Sequence, residues 1–316
     1  MSLDIVLQTR HLGKKFGSRW AIDDLDLAVG RGEVYGFLGP NGAGKSTTIR
    51  MILSLIKPTT GSVELFGKTL TRYRRETLRR VGGLVEKADF YLYLSAQKNL
   101  EIVAGLRGDV SAEEIGRALE TVGLADRAHD HVKTYSHGMK QRLGIAQALL
   151  GSPELVVLDE PTSGLDPQGI KEVRELIGRL RRDHGMTVFL SSHLLNEIEQ
   201  TATSMAIISR GKLVVQGGVR ELLSEAISTV RIEADPLDRA REVIAGLPFA
   251  ADVRTSGQSI EVRLPQNRIA ETNRMLVQLG IQVRALVPKR SLEEYFLMLT
   301  EGVTEVELRK KQIPGA

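Results

Sequence analysis

Val34-Tyr35-Gly36-Phe37-Leu38-Gly39-Pro40-Asn41-Gly42-Ala43-Gly44-Lys45-Ser46 is the stretch from which the rest of the chain can be read. Five residues of strand character run straight into G-x-x-x-x-G-K-S. The next segment, Thr47 to Leu55, has the apolar spacing of a helix, which Pro58 and Gly61 stop. Strand, glycine loop and helix in that order make a phosphate cradle: the glycines let backbone N–H groups converge on oxygens, and the helix N-terminus adds a favourable dipole. Its candidate binding residues are Gly39, Pro40, Asn41, Gly42, Ala43, Gly44, Lys45, Ser46 and Thr47. Lys45 is placed to neutralise β- and γ-phosphates, and Ser46 to give its hydroxyl to Mg²⁺. With glycine at about 7% of residues, the four fixed positions would coincide in roughly one random chain in a hundred.

The second constellation is Leu155-Val156-Val157-Leu158-Asp159-Glu160, a short apolar run that reads as a buried parallel strand ending in two adjacent carboxylates. It resembles a Walker B strand. Successive side chains of a strand point to opposite sides, so Asp159 can face Mg²⁺ while Glu160 addresses a different point. Glu160 is the candidate general base, orienting and polarising a water for attack on the γ-phosphate. Alone, such a pair of acids is more often a solvated strand end. With the glycine loop it places the chain among P-loop NTPases and the reaction as cleavage or transfer of a terminal phosphoryl group.

Further segments narrow the family. Tyr135-Ser136-His137-Gly138-Met139-Lys140-Gln141-Arg142 precedes a helical pattern shortly before the Asp159 strand and resembles the signature segment of ABC ATPases. Ser136 can cap that helix, whose exposed N–H groups make a second anion site. Ser163-Gly164-Leu165-Asp166 resembles the D-loop. His193, in Leu190-Ser191-Ser192-His193, resembles the switch histidine, and Lys15-Phe16-Gly17 the loop whose aromatic face, here Phe16, stacks on adenine. The resemblance to ABC ATPases spans roughly residues 3 to 220. It implies ATP and Mg²⁺ as cofactors, Lys45, Glu160 and His193 as catalytic residues, and Ser46, Glu86 and Asp159 around the metal. It also implies that Ser136 and Gly138 bind the γ-phosphate held by a second protomer.

Two departures from the family pattern stand out. Glu86 follows Val81-Gly82-Gly83-Leu84-Val85 where a glutamine commonly stands, and a carboxylate adds charge and cannot donate a hydrogen bond. His137 and Met139 replace the usual Gly and Gln, and a non-glycine at His137 is confined to ordinary backbone angles, which questions the loop geometry there. Both departures, with the segment from Ala88-Asp89-Phe90-Tyr91 to Leu100, are similar to the bacitracin-resistance subgroup of antibiotic exporters. That likeness implies efflux of a peptide antibiotic or other amphipathic drug.

After the last strand of the first domain, Lys212 to Gln216, and a short helix, Val219 to Glu225, a new rhythm begins. Strands at Thr229 to Glu233, Ala251 to Thr255, Ser259 to Leu264 and Gln282 to Val287 alternate with helices at Leu237 to Ala245 and Arg268 to Leu279 in a βαββαβ pattern. The expected fold class is therefore α/β: a P-loop NTPase, ABC-type nucleotide-binding domain over residues 1–222, then a small α+β ferredoxin-like domain over 223–302 and a tail over 303–316. A further helix is expected at Leu292 to Leu299, with Leu292, Tyr295, Phe296 and Leu299 on one face as core or as a dimer contact. Arg72, Arg74, Arg75, Arg79 and Arg80 read as a solvated helix face, with acidic loops of a membrane partner or anionic lipid as the functional alternatives.

Composition sets the outer limits. The 316 residues exceed one ordinary core, and 42% apolar with 26% charged residues excludes disordered and fibrous classes. The absence of cysteine excludes disulfides and thiolate metal sites. Asp4, Gln8 and Arg10 interrupt any secretory signal, and no apolar run nears the ~20 residues of a spanning helix, so the pore would belong to another chain. With 43 basic against 39 acidic residues, no direct nucleic-acid partner is expected. The partners expected are a separate transmembrane permease subunit and a second ATPase subunit, as an ATP-dependent homodimer or heterodimer, at the cytoplasmic face of the cell membrane. A non-transport ABC ATPase acting on DNA or ribosomes is the alternative, although the chain shows neither a second ATPase domain nor a coiled-coil insert. A P-loop kinase is disfavoured by the signature segment and His193.

Overall fold

The computed structural model describes residues 4–86, 88–225 and 227–289. The chain divides into two compact units, the first ending at Gln216 and the second beginning at Gly217.

In the first unit, β1 (Ile5–Phe16) and β2 (Arg19–Gly30) form a hairpin, β3 (Val34–Leu38) enters the glycine loop, and α1 (Lys45–Ile52) leaves it. The chain continues through β4 (Thr60–Leu65), β5 (Lys68–Thr69), α2 (Leu70–Leu78), β6 (Val81–Leu84), α3 (Ala96–Arg107), α4 (Ala112–Thr121) and α5 (His137–Leu149). It closes with β7 (Leu155–Leu158), α6 (Pro167–His184), β8 (Thr187–Ser192), α7 (Leu195–Thr201), β9 (Ser204–Ser209) and β10 (Lys212–Gly218), whose last two residues cross the boundary. Two sheets result: a four-stranded one in the order β2-β1-β4-β5 and a six-stranded one in the order β10-β9-β3-β8-β7-β6. In the larger sheet β9, β3, β8, β7 and β6 run parallel. Its central strands are buried at every residue, which is why Val34–Leu38, Leu155–Leu158 and Thr187–Ser192 read as continuous rather than alternating apolar runs.

One core joins the two sheets. Phe189 of β8 stacks on Tyr35 of β3 with centroids 5.6 Å apart and packs on Phe37 at 5.4 Å, beside Leu12, Ile22, Leu25 and Ile49. Burying each large side chain contributes roughly 1.5–3 kcal/mol, and aromatic pairing about 1 kcal/mol more. Burial pushes the Tyr35 hydroxyl well above the usual phenol range. An ion cluster adds a second tie: Glu154, just before β7, takes Arg80 at 2.8 Å and Arg31 at 2.8 Å, while the Arg80 guanidinium lies 3.7 Å from the Phe66 ring centroid.

The second unit holds α8 (Val219–Glu225), β11 (Ile227–Asp235), α9 (Leu237–Ala245), β12 (Ala251–Ser256), β13 (Ser259–Pro265), α10 (Ile269–Gln278) and β14 (Gln282–Lys289). Its sheet runs β12-β13-β11-β14, antiparallel throughout, which is the strand order of a ferredoxin-like sandwich. Val230, Ile232, Ile260, Val262 and Leu264 meet Ala240, Ile244 and Leu276 of the two helices in its own core. The helix expected at 292–299 and the tail from 303 lie outside the described residues.

Candidate functional site

The loop between β3 and α1 is shaped by two glycines. A Cβ on Gly39 would lie 2.6 Å from the Ile208 carbonyl oxygen. Gly44 has φ +111°, and a Cβ there would meet Ile22 Cδ1 at 2.4 Å and the Ala21 carbonyl oxygen at 2.7 Å. Gly44 is the N-cap of α1 and no side chain caps the helix, so its first-turn amides are left without a capping acceptor. The hydroxyls of Ser46 and Thr47 have no protein partner among the described residues, whereas Thr48 turns back to the Gly44 carbonyl at 3.1 Å. A backbone cradle that excludes side chains, free amides and a free hydroxyl suit a triphosphate with a divalent cation.

Lys45 is 5% exposed and folded over this loop, its Nζ donating to the Gly39 carbonyl at 2.7 Å and lying 3.3 Å from Glu160 Oε1. His193 Nδ1 lies 3.2 Å from Glu160 Oε2. The structure thus brings Lys45, Glu160 and His193 together although they are far apart in sequence. The parallel register does this, pairing Leu158 with Leu190 and Phe37 with Ser191, so the three strands deliver their ends to one edge of the sheet. That edge, outside the carboxyl ends of the strands, is where ligands bind in open α/β sheets.

The two adjacent carboxylates are separated by the backbone. Asp159 is 6% exposed and its Oδ1 accepts from Ser191 Oγ at 2.5 Å. Glu160 has φ +46°, a left-handed conformation that costs a non-glycine residue about 1–2 kcal/mol, and its amide donates to the same Ser191 Oγ at 2.9 Å. Strand alternation is therefore not what parts them: the strand ends at Leu158, and a dihedral change at Glu160 swings its carboxylate to Lys45 and His193.

Ser191 was not singled out by the sequence reading. The available signal was a serine following the apolar run Val188–Leu190 in a fully buried strand, where a polar group requires a partner. Ser192 and Thr162 escaped it too. Both donate to Glu197 Oε2, at 3.1 Å and 2.5 Å, which ties the His193 segment to α7. Glu160, Thr162, Gly164, Leu165, His193 and Glu197 line a cavity of about 190 Å³ together with their neighbours. Asp166 serves as N-cap of α6, accepting from the Gly169 amide at 2.8 Å, with Pro167 at the first helical position.

Other candidate residues lie apart from this cluster. Glu86 is exposed, has φ +63°, and gives its carboxylate to Arg50 of α1. Phe16 is 54% exposed at the end of β1 with Lys14 Nζ 5.3 Å from its ring centroid. Trp20, overlooked in the sequence, offers a second exposed aromatic face one residue from Ala21, whose carbonyl abuts Gly44. Ser136 caps α5, its Oγ accepting from the Met139 amide at 3.2 Å. The concern over His137 does not materialise: it is the first residue of α5, neither it nor Gly138 has positive φ, and no glycine is needed there. Its ring instead reaches the D-loop, where a Cβ on Gly164 would meet His137 Nε2 at 3.4 Å.

Comparison with known proteins follows the same lines. The family model described as ABC transporter matches residues 22–163. The chain is 40% identical over 304 residues to the bacitracin transport ATP-binding protein BcrA of Bacillus licheniformis, covering 96% of this chain and 99% of that protein. It is 39% identical over 305 residues to the ABC transporter ATP-binding protein YhcH of Bacillus subtilis, covering 96% and 98%. It is also 40% identical over 211 residues to the lantibiotic transport ATP-binding protein SrtF of Streptococcus pyogenes, covering 67% and 90%. Among solved structures, an ATP-binding subunit of an ABC transporter superposes with TM-score 0.60 at 29% identity, over 69% of this chain and 91% of that one. A dimeric ATP-binding cassette bound to ADP and Pi does so with TM-score 0.60 at 24% identity, over 68% and 99%, and supports the fold alone.

Proposed function

The chain belongs to the ABC transporter ATP-binding family and is an ATPase of that family; from this premise we propose that it is the motor subunit of an exporter, closing as a dimer around two MgATP and driving a separate transmembrane subunit. The observation that carries the reading is the Glu160 carboxylate held between Lys45 Nζ at 3.3 Å and His193 Nδ1 at 3.2 Å, at the strand edge beside the glycine loop. No described helix is long and apolar enough to cross a membrane, which fits a chain that needs a membrane partner. The bacitracin and lantibiotic transport proteins among its relatives support a peptide antibiotic or similar amphipathic drug as cargo.

In this reading Phe16 stacks on adenine, the amides of Gly39 to Thr47 hold the phosphates, and Lys45 moves its ammonium from the loop carbonyls onto the β- and γ-phosphates. Ser46, Asp159 and Glu86 would hold Mg²⁺, which supplies charge neutralisation at the phosphate oxygens. For Glu86 this requires release from Arg50. Glu160 accepts the proton of the attacking water, and His193 holds that carboxylate and senses the γ-phosphate. Ser136 and Gly138 present the α5 N-terminus to the nucleotide of the second protomer, so each nucleotide belongs to two chains. Binding across the interface stabilises the closed dimer by mass action, and hydrolysis removes the bridging phosphate.

The test is Glu160→Gln, with ATP turnover followed by phosphate release and assembly by light scattering during size exclusion. Turnover should fall about 100-fold or more while ATP converts monomer to dimer. Unchanged turnover would remove Glu160 as the base, and a variant that binds ATP yet never dimerises would sink the sandwich for the isolated chain.

A further inference from the structure

Arg50 lies in the last turn of α1, one helical turn after Ser46, so the two side chains leave the same face of the helix that opens at the glycine loop. Its guanidinium donates to the Glu86 carboxylate, and among the described residues this is the one ion pair that either side chain makes. Glu86 is tied in turn to the other acid of the site. β6 and β7 are parallel with Leu84 beside Leu158, and the Asp159 amide donates to the Leu84 carbonyl at 2.8 Å. The chain thus leaves β6 for Glu86 next to the point where it leaves β7 for Asp159. One ion pair therefore joins the helix that carries Ser46 to the strand end beside Asp159.

The donor set fits a hard divalent cation. Ser46 offers a hydroxyl without a protein partner among the described residues, Asp159 a buried carboxylate and Glu86 an exposed one, so every donor is an oxygen and two of the side chains carry charge. With Arg50 on it, however, the Glu86 carboxylate is already neutralised, and the guanidinium takes lone pairs that a metal ion needs. A guanidinium does not lose its proton in a protein, so it yields the carboxylate only by moving away. It is free to do so. The side chains of Arg50 and Glu86 are 43% and 63% exposed, and an exposed ion pair changes an equilibrium constant by only a few-fold. A pair this weak tunes a binding equilibrium without blocking it. The competition depends on the carboxylate, since a neutral amide at position 86 would attract neither cation by net charge.

We propose that Arg50 is a positioning residue that competes with the divalent cation for Glu86, and so sets the metal concentration at which the nucleotide-loaded site fills. The proposal rests on the reading that Glu86, with Ser46 and Asp159, holds Mg²⁺, and Glu86→Gln tests that reading by itself.

The full chain, in excess over a non-hydrolysable ATP analogue, is titrated with Mn²⁺ at low salt, and the free metal is read from its electron paramagnetic resonance signal. Arg50→Ala should bind Mn²⁺ about three- to five-fold tighter than the unsubstituted chain. Arg50→Lys, which keeps the charge but loses the fork, should fall between the two. Glu86→Gln should weaken Mn²⁺ binding, and adding Arg50→Ala to it should change nothing further, because the competitor has lost its carboxylate. Affinity for a fluorescent ATP analogue in EDTA should be the same for Arg50→Ala and the unsubstituted chain, which separates competition for a metal ligand from contact with phosphates. Thermal unfolding without nucleotide or metal checks that every variant is folded. Unchanged or weaker Mn²⁺ binding by Arg50→Ala overturns the proposal, as does an equal Arg50 effect in the Glu86→Gln background or a loss of metal-free nucleotide affinity. Undiminished Mn²⁺ binding by Glu86→Gln refutes the metal reading itself, whereas weakened binding there with no effect of Arg50→Ala refutes the competition alone.

Discussion

Ser191→Ala is the perturbation that separates the site's geometry from its list of acids. Ser191 is fully buried; its hydroxyl donates to Asp159 Oδ1 at 2.5 Å and accepts from the Glu160 amide at 2.9 Å. Alanine removes a hydrogen bond to a buried carboxylate, worth roughly 1.5–3 kcal/mol, and orphans an amide at a cost of about 1–3 kcal/mol. Glu160 is partly exposed, so water can recover some of the second loss, and a total near 3 kcal/mol is expected. For a unit of this size each kcal/mol moves the melting temperature by about 2–4 °C, which sets the drop at roughly 6–12 °C. Turnover should fall about 10- to 100-fold through kcat with a smaller change in KM, because both acids lose their orientation while the glycine loop is untouched. Thermal unfolding and steady-state phosphate release on the same preparation measure both. A melting shift below about 2 °C with turnover within two-fold of the unsubstituted protein would refute the claim that one hydroxyl positions both carboxylates.

Gly44→Ala places a Cβ 2.4 Å from Ile22 Cδ1 and 2.7 Å from the Ala21 carbonyl oxygen at φ +111°, so affinity for a fluorescent ATP analogue should fall about ten-fold or more; undiminished affinity would move the phosphate cradle elsewhere. Glu154→Gln tests the ion cluster. Hydrogen bonding from Arg80, helped by Arg31 and opposed by partial burial, holds the Glu154 carboxyl down to about 2 from its ordinary value of 4.5. Its stabilisation is therefore complete above the unfolded value and lost as pH falls from 4.5 towards 2. Because the side chain is 39% exposed, about 1 kcal/mol is expected at pH 7 after solvent screening, and the melting difference between the two proteins should shrink as pH falls below 4.5; a difference that is flat with pH would assign the effect to packing.

How far the sequence carried the structure depended on whether the determining forces were local. The glycine loop, the β7 strand and the βαββαβ order of the second unit were legible because backbone permissiveness and apolar period act over a few residues. The register that sets Phe37 beside Ser191 and Leu158 beside Leu190 was not, since parallel strands meet across long crossovers that no local pattern encodes. Ser191 therefore escaped attention while Asp159 and Glu160, adjacent in sequence, did not. His137 shows the opposite error. Its identity suggested a strained loop, but the segment is already helical at that residue, where histidine is ordinary. Glu86 was legible as a departure but not in its engagement, because Arg50 reaches it from the far end of another helix.

The division of labour between the two acids follows from where β7 stops. Were the strand to continue through Glu160, its carboxylate would leave on the face opposite Asp159 and could not reach both Lys45 and His193. The left-handed dihedral at Glu160 costs about 1–2 kcal/mol, and the amide's hydrogen bond to Ser191 offsets a comparable amount. Ser191 thus fixes the conformation of Glu160 and the orientation of Asp159 with one oxygen atom, while Lys45, itself satisfied by the Gly39 carbonyl, lies within reach of that same Glu160. In the proposed cycle a phosphate that draws the Lys45 ammonium onto its oxygens takes it from its place 3.3 Å from Glu160 Oε1 and leaves that oxygen open to a water. On that reading, loading of the cradle and access of water to Glu160 are linked through a single lysine.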